Sequence, residues 1–146
     1  MAAEQQAQGY AGDLTAAEAW ALLSRDPDAQ LIDVRTAAEW SFVGMPDLTS
    51  IGRTLHRVEW QSYPTMALNG DFAAQAGAAL GGKKTAPALF LCRSGARSRA
   101  AAIAMTSAGY TKSFNIAGGF EGDLDPESHR GSKNGWKAAG LPWKQT

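Results

Sequence analysis

The sequence predicts an α/β domain with a mostly parallel central sheet. Three observations carry that expectation. Short apolar runs at 31–34, 88–92 and 113–116 are bounded by turn residues. Stretches with helix start and stop signals lie between them. The two kinds alternate along the chain, as in βαβ units.

The elements follow in order. Thr15-Ala16-Ala17-Glu18 has the form of a capping box opening a helix over 16–24, with Trp20 and Leu23 on its apolar face and Asp26-Pro27-Asp28 as its stop. Leu31-Ile32-Asp33-Val34 reads as a buried strand, and 36–40 as a helical turn leaving it. Gly44, Pro46, Gly52 and Pro64 break up 43–69, where Leu55-His56-Arg57-Val58 forms a second short strand. Asp71 caps a helix over 72–80, ended by Gly81-Gly82. Ala88-Leu89-Phe90-Leu91-Cys92 is the clearest strand, fully apolar and ending on a thiol. After a small loop comes an alanine-rich helix over 97–108, closed by Gly109. Ser113-Phe114-Asn115-Ile116 gives another strand and Gly118-Gly119 a tight turn. A last helix over 136–139 precedes Gly140-Leu141-Pro142-Trp143.

At 146 residues and 15.4 kDa the chain has the size of one domain. With 45% hydrophobic and 19% charged residues it is neither a disordered nor a polyampholyte sequence. Polar, small residues over 1–12 read as a flexible N-terminal segment, leaving 13–146 as a single domain. Cys92 is the one cysteine, which excludes an intrachain disulfide and a multi-cysteine zinc site. A formal net charge of zero points to neither nucleic acid nor an anionic membrane. No secretory signal and no apolar run of membrane-spanning length is seen, so the expected location is cytoplasmic, a reducing compartment that suits a free thiol. Yet residues 1–80 hold 4 basic and 10 acidic side chains and residues 81–146 the reverse. Arg93, Arg97 and Arg99 all lie within seven residues of Cys92.

Cys92-Arg93-Ser94-Gly95-Ala96-Arg97-Ser98 joins a strand end to a helix start, where the first N–H groups have no intrahelical partner. Loop amides and the positive end of the helix dipole make a nest for an anion there. Gly95 permits the tight turn. The same field favours a thiolate. A free cysteine is commonly just a small buried hydrophobe, but an inert thiol has no need of flanking arginines and a glycine turn.

On these residues the chain resembles a single-domain rhodanese, of the thiosulfate sulfurtransferase type. The matching features are Leu31-Ile32-Asp33-Val34-Arg35 with Glu39-Trp40, and Leu89-Phe90-Leu91 running into the 92–98 loop. Others are Ser98-Arg99-Ala100-Ala101, Gly109-Tyr110, Asn115-Ile116 with Gly118-Gly119-Phe120, and Trp136 with Gly140-Leu141-Pro142-Trp143. The resemblance runs from about Leu14 to Trp143. It implies a rhodanese-like fold with helices on both faces of the sheet and a persulfide on Cys92 cradled by the loop amides. Where family members commonly have Gly-His-Ile-Pro-Gly-Ala, this chain has Gly44-Met45-Pro46-Asp47-Leu48, and the whole 43–84 segment diverges.

The expected activity is therefore sulfur transfer. Cys92 is the nucleophile, and Arg93, Ser94, Gly95, Ala96, Arg97 and Ser98 form the substrate-binding loop. Asp33 and Arg35 are a structural pair near the site. His56 and His129 are too scattered to suggest metal ligands, and neither metal nor cofactor is expected. Trp40, Trp136 and Trp143 are expected as packing anchors. The partners are a small-molecule sulfur donor and a thiol, cyanide or protein acceptor, with no nucleic acid and no membrane. Two alternatives stand beside this. A sulfur-relay or rhodanese-like interaction module would pass sulfur only to a particular protein. A cysteine phosphatase or arsenate reductase needs a Cys-x5-Arg loop to surround a tetrahedral oxyanion, whereas here the spacing is Cys-x4-Arg.

Overall fold

The structure, a computed structural model, describes residues 9–145. Five strands, β1 (Gly12–Leu14), β2 (Gln30–Asp33), β4 (Leu55–Arg57), β7 (Ala88–Leu91) and β8 (Ser113–Ile116), form the central sheet in the order β1-β8-β7-β2-β4. Every pairing in it is parallel. Two small antiparallel pairs stand apart from it: β3 (Met45–Pro46) with β9 (Trp143–Lys144), and β5 (Gln61–Ser62) with β6 (Ala67–Leu68).

Among the described residues the four α-helices are α1 (Ala16–Arg25), α2 (Ala37–Phe42), α3 (Phe72–Ala79) and α4 (Ala96–Ser107). Alternation along the strands sends side chains into two cores. Leu31, Leu89, Leu91 and Ile116 meet Ala16, Ala19 and Leu23 of α1, with Phe120 and Trp136. Ile32, Phe90 and Cys92 meet Phe72 and Ala76 of α3 and Ala101, Ala102 and Met105 of α4. Each fully buried Leu, Ile or Phe contributes about 1.5–3 kcal/mol of transfer free energy. The sheet is therefore covered by helices on both faces, the α/β arrangement expected of the sequence. Among the described residues no helix is long and apolar enough to cross a membrane.

Three local expectations need correction. Residues 1–8 of the segment expected to be flexible lie outside the described residues, while its described end packs on the sheet. Tyr10 and Ala11 are buried, Ala11 N–H donates to Ser113 O at 2.9 Å, and Gly12 opens edge strand β1. Small residues there fit against the sheet edge instead of fraying from it. Asp71 stands at the start of α3 without a side-chain capping bond. Its own N–H donates to Asn69 Oδ1 at 3.0 Å, so an Asx turn at Asn69 shapes the helix entry. Finally, 136–139 is a turn and not a helix, since Gly135 and Gly140 bracket it at φ 96° and 74°. Buried Trp136 donates its Nε1–H to Pro142 O at 2.7 Å, and the next residues pair as β9 with β3. The β5–β6 hairpin inside the 43–84 segment was not anticipated.

The turn after β8 braces the end of β7. Phe120 N–H donates to Cys92 O at 2.8 Å, while the N–H groups of Glu121 and Gly122 donate to Arg93 O at 3.0 and 3.1 Å. Such an approach needs a glycine at 119, which has φ 60°: a Cβ there would run into Cys92 O and lie 2.6 Å from Arg93 C. Gly52, at φ 67° with nothing within 4 Å of its Cβ position, separates the two costs. Gly52→Ala should lose only the left-handed backbone term, about 1–2 kcal/mol. Gly119→Ala should lose clearly more, because backbone must move. Denaturant unfolding of both variants tests this; equal midpoints would mean the turn yields freely.

Candidate active site

Strand β7 is buried throughout, and Val34 N–H holds its last carbonyl, Leu91 O, at 2.8 Å. Cys92 follows, then three residues, and α4 begins at Ala96. Gly95, the residue that precedes α4, has φ 123° and ψ −12°, a conformation that side-chain-bearing residues avoid. This folds the loop back so that Gly95 N–H donates to Cys92 Sγ at 3.1 Å. Ser98, one turn into α4 and fully buried, places its Oγ 3.2 Å from the same sulfur. Among the described residues, the N–H groups of Ala96, Arg97 and Ser98 find no protein acceptor, so the positive end of the α4 dipole stays open at this loop.

The sulfur itself is deeply set, with Cys92 only 1% exposed. Of the other predicted loop residues, Arg93 and Ala96 are exposed and Ser94 and Arg97 half-buried. Arg97 is committed to a partner. Its Nη1 and Nη2 donate to Glu39 Oε1 and Oε2 at 2.7 and 2.9 Å, a bidentate clamp between α4 and α2. Glu39 also closes the capping box with Thr36 that starts α2. The Glu39 hydrogen bonds hold the Arg97 guanidinium above its usual range, and the charges of Cys92 and Asp33 act the same way.

Asp33 and Arg35 form a fully buried ion pair at the carboxyl end of β2, with Arg35 Nη2 to Asp33 Oδ2 at 2.7 Å. Arg35 Nη2 also donates to Gly44 O at 2.8 Å, and the guanidinium stacks 4.4 Å from the Phe120 ring centroid. This pair ties the start of the divergent segment to the turn that braces Cys92. His56 Nε2 lies 3.0 Å from Gln30 Oε1, and burial, then the Arg53 charge, push its pKa down. His129 is exposed. Among the described residues no group of three or more His, Cys, Asp and Glu side chains could hold a metal ion. Trp136 is buried and Trp40 half-buried, whereas Trp143 is 41% exposed and packs edge-on to Phe120.

Sequence reasoning missed the far side of the site. Ser98 Oγ lies 2.6 Å from Asn115 Oδ1, Asn115 Nδ2 donates to Asp13 Oδ1 at 3.0 Å, and Tyr10 OH donates to that same oxygen at 2.8 Å. The available signal was an asparagine in the strand Ser113-Phe114-Asn115-Ile116. An amide there is costly to bury, by about 1–3 kcal/mol, unless something pairs with it. Glu39 was legible as a motif residue, but its partner was not.

Burial pushes the Glu39 carboxyl up, but the Arg97 bonds and charge and the Thr36 bonds outweigh it, so its pKa sits below the usual carboxylate value. A depressed acid stabilises the fold above its unfolded pKa of about 4.3 and loses that contribution as pH falls through the folded value. Glu39→Gln should therefore be less stable than the parent at neutral pH, by up to about 1 kcal/mol for a partly solvated pair. The gap should close on acidification below pH ~4. Thermal melts of both proteins across that range check it, and a gap independent of pH would contradict the assignment.

The comparisons agree with the architecture. An uncharacterized protein of Rickettsia rickettsii, the RP600 homolog, is 36% identical over 132 residues, spanning 90% of this chain and 96% of that protein. The crystal structure of Rv0390 from M. tuberculosis superposes with a TM-score of 0.84 at 48% identity, covering 94% of this chain and 99% of the other. The polysulfide-sulfur transferase homodimer of Wolinella succinogenes shares the fold, with a TM-score of 0.62 at 22% identity over 99% of this chain and 86% of that one. The model of the STR4 middle domain matches residues 11–146, so the chain belongs to the STR4 middle-domain family.

Proposed function

We propose that the protein is a rhodanese-type sulfurtransferase that carries sulfane sulfur as a persulfide on Cys92. The observation that supports this best is a single sulfur at a strand end, met by the Gly95 N–H and the Ser98 hydroxyl in a loop that leads straight into α4. A polysulfide-sulfur transferase with the same fold adds to the case. In the loading step the Cys92 thiolate attacks the outer sulfur of a donor such as thiosulfate. A new S–S bond forms, the old one breaks with its electron pair leaving on sulfite, and an anionic persulfide remains. Gly95 N–H and the open first turn of α4 stabilise that anion. In the second step a thiol, cyanide or protein thiolate attacks the outer persulfide sulfur and Cys92 leaves as thiolate. As Cys92 is the one cysteine, sulfur must pass to another molecule.

The loop dimensions favour sulfur over phosphoryl transfer. Helix α4 begins four residues after Cys92, and the Arg97 fork is already filled by Glu39. In a phosphatase or arsenate reductase the corresponding arginine would grip the oxyanion. Incubation with thiosulfate should add one sulfur to the intact mass of the protein and none to Cys92→Ser. The same preparation should release no phosphate from an aryl phosphate. An unloaded parent protein, or phosphate release matching sulfur transfer in efficiency, would sink the reading.

The two arginines then divide their work. Arg93 follows the thiol in sequence and is exposed, able to meet the donor's sulfonate in a charge-assisted contact worth about 1.5–3 kcal/mol. Arg93→Ala should lower kcat/KM for thiosulfate by about 10- to 100-fold and leave the melting temperature unchanged. Arg97→Ala should lower both, since it unclamps α2 from α4. Arg97→Lys should not restore them, because an ammonium cannot reproduce the two-pronged bond. An Arg97→Ala protein with parental stability would show that the clamp is slack.

A further inference from the structure

The polar chain behind Cys92 has a use that the sulfur chemistry described above does not draw on. Asn115 is 4% exposed and sits on the α4 side of β8, where its neighbour Ile116 faces the opposite core. Asp13 fixes which way the amide points. Asp13 and Asn115 are register partners across β1 and β8, and a carboxylate accepts only from the nitrogen end. Tyr10 OH donates to the same carboxylate oxygen and holds it in place. The amide oxygen of Asn115 is therefore aimed at Ser98.

Ser98 has one hydroxyl hydrogen and three acceptors around it. They are Asn115 Oδ1 at 2.6 Å, Cys92 Sγ at 3.2 Å and Gly95 O at 3.3 Å. The shortest contact takes the hydrogen while the sulfur is a neutral thiol, and the S–H then donates to the Ser98 oxygen. Once the sulfur is an anion the preference reverses, because a hydrogen bond to a charged acceptor is about twice as strong as a neutral one. A rotation about the Ser98 C–O bond makes the change, with no heavy atom displaced. We propose that Asn115, anchored by Asp13, is a positioning residue: it holds the Ser98 hydroxyl hydrogen on its own amide oxygen and yields it to Cys92 when that sulfur becomes an anion. Its value in catalysis rests on the sulfur-transfer reading, in which the sulfur is charged at loading and again at release.

Other charges face Cys92 or its network and stay constant when Asn115 is replaced. Arg97 with Glu39 comes from α4 and α2, Asp33 with Arg35 from the end of β2, and Arg93 from the loop. Tyr10 and Asp13 come from the β1 edge, with the Arg99 guanidinium 5.7 Å from the Tyr10 ring centroid. The test is an ultraviolet titration of the thiolate, read as the difference from Cys92→Ser, which isolates this one sulfur. Asn115→Leu frees Ser98 to serve the sulfur at all times, so the thiolate should be about tenfold more populated at a given pH on the rising limb. Asp13→Ala should act in the same direction with a smaller effect, and being an exposed position it decides the matter if Asn115→Leu does not fold. Ser98→Ala should move the titration the other way. In the Ser98→Ala background Asn115→Leu should not move it further, and Asp13→Ala should retain only the small, salt-screened part due to its lost charge. Equal shifts with and without Ser98, or no shift from either single variant, would overturn the proposal. The titration needs no sulfur donor. A protein that never gains sulfur from thiosulfate yet shows the Ser98-dependent shift would refute the proposed function and support this network.

Discussion

The site depends on two carbonyl groups being held still. Cys92 O and Arg93 O accept three N–H groups from residues 120–122, and the turn that delivers them comes close enough because position 119 has no side chain. With its carbonyls fixed from below, the loop can only turn upward, and Gly95 brings its N–H onto the sulfur. The Arg97–Glu39 clamp closes the same assembly from the side, and the Asp33–Arg35 pair, stacked on Phe120, closes it from β2. A sulfur held this way spends little free energy on ordering when a reacting group arrives.

Much of this was written in residues that act locally. The capping box at Thr15, the helical turn at 36–40, the apolar run into Cys92 and the glycines that end α4 and shape the 118–119 turn are decided within a few positions, and such signals survive in a single sequence. The loop from 92 to 98 belongs to the same class. What could not be read were contacts between distant segments. Nothing near Glu39 announces Arg97, 58 positions away, and nothing near Asn115 announces Asp13. Trp136 looked helical because its neighbours are Lys137, Ala138 and Ala139. Two flanking glycines with positive φ and the pull of the indole toward Pro142 O decided otherwise. The 43–84 segment was opaque because short strands such as β5 and β6 carry no periodic pattern.

The lopsided charge of the sequence also changes meaning once folded. Acidic residues of the first half meet basic residues of the second: Glu39 with Arg97, and Asp28 with Lys83 at 2.9 Å. The exposed Asp28–Lys83 pair adds little stability. The half-buried Glu39–Arg97 pair leaves Arg93 and Arg99 as the exposed cations of the site's own segment. A tally of charge along the chain would have spread the positive field over all three arginines near Cys92; in space one of them is neutralised by its partner.

The bond from Asn115 to Asp13 spans 102 positions. On a ribosome, β1 emerges well before β8, so this strand of the sheet waits for its partner. Until 113–116 leave the tunnel, Ala11 and Asp13 lack the strand they pair with. Parallel pairings across such separations are slow to form, because the closure entropy is lost before the contacts return it. Completion of the polar chain behind the sulfur is thus tied to completion of the sheet. A chain cut short just before β8 would carry the thiol, the glycine turn and all of α4, yet lack the element that orients them.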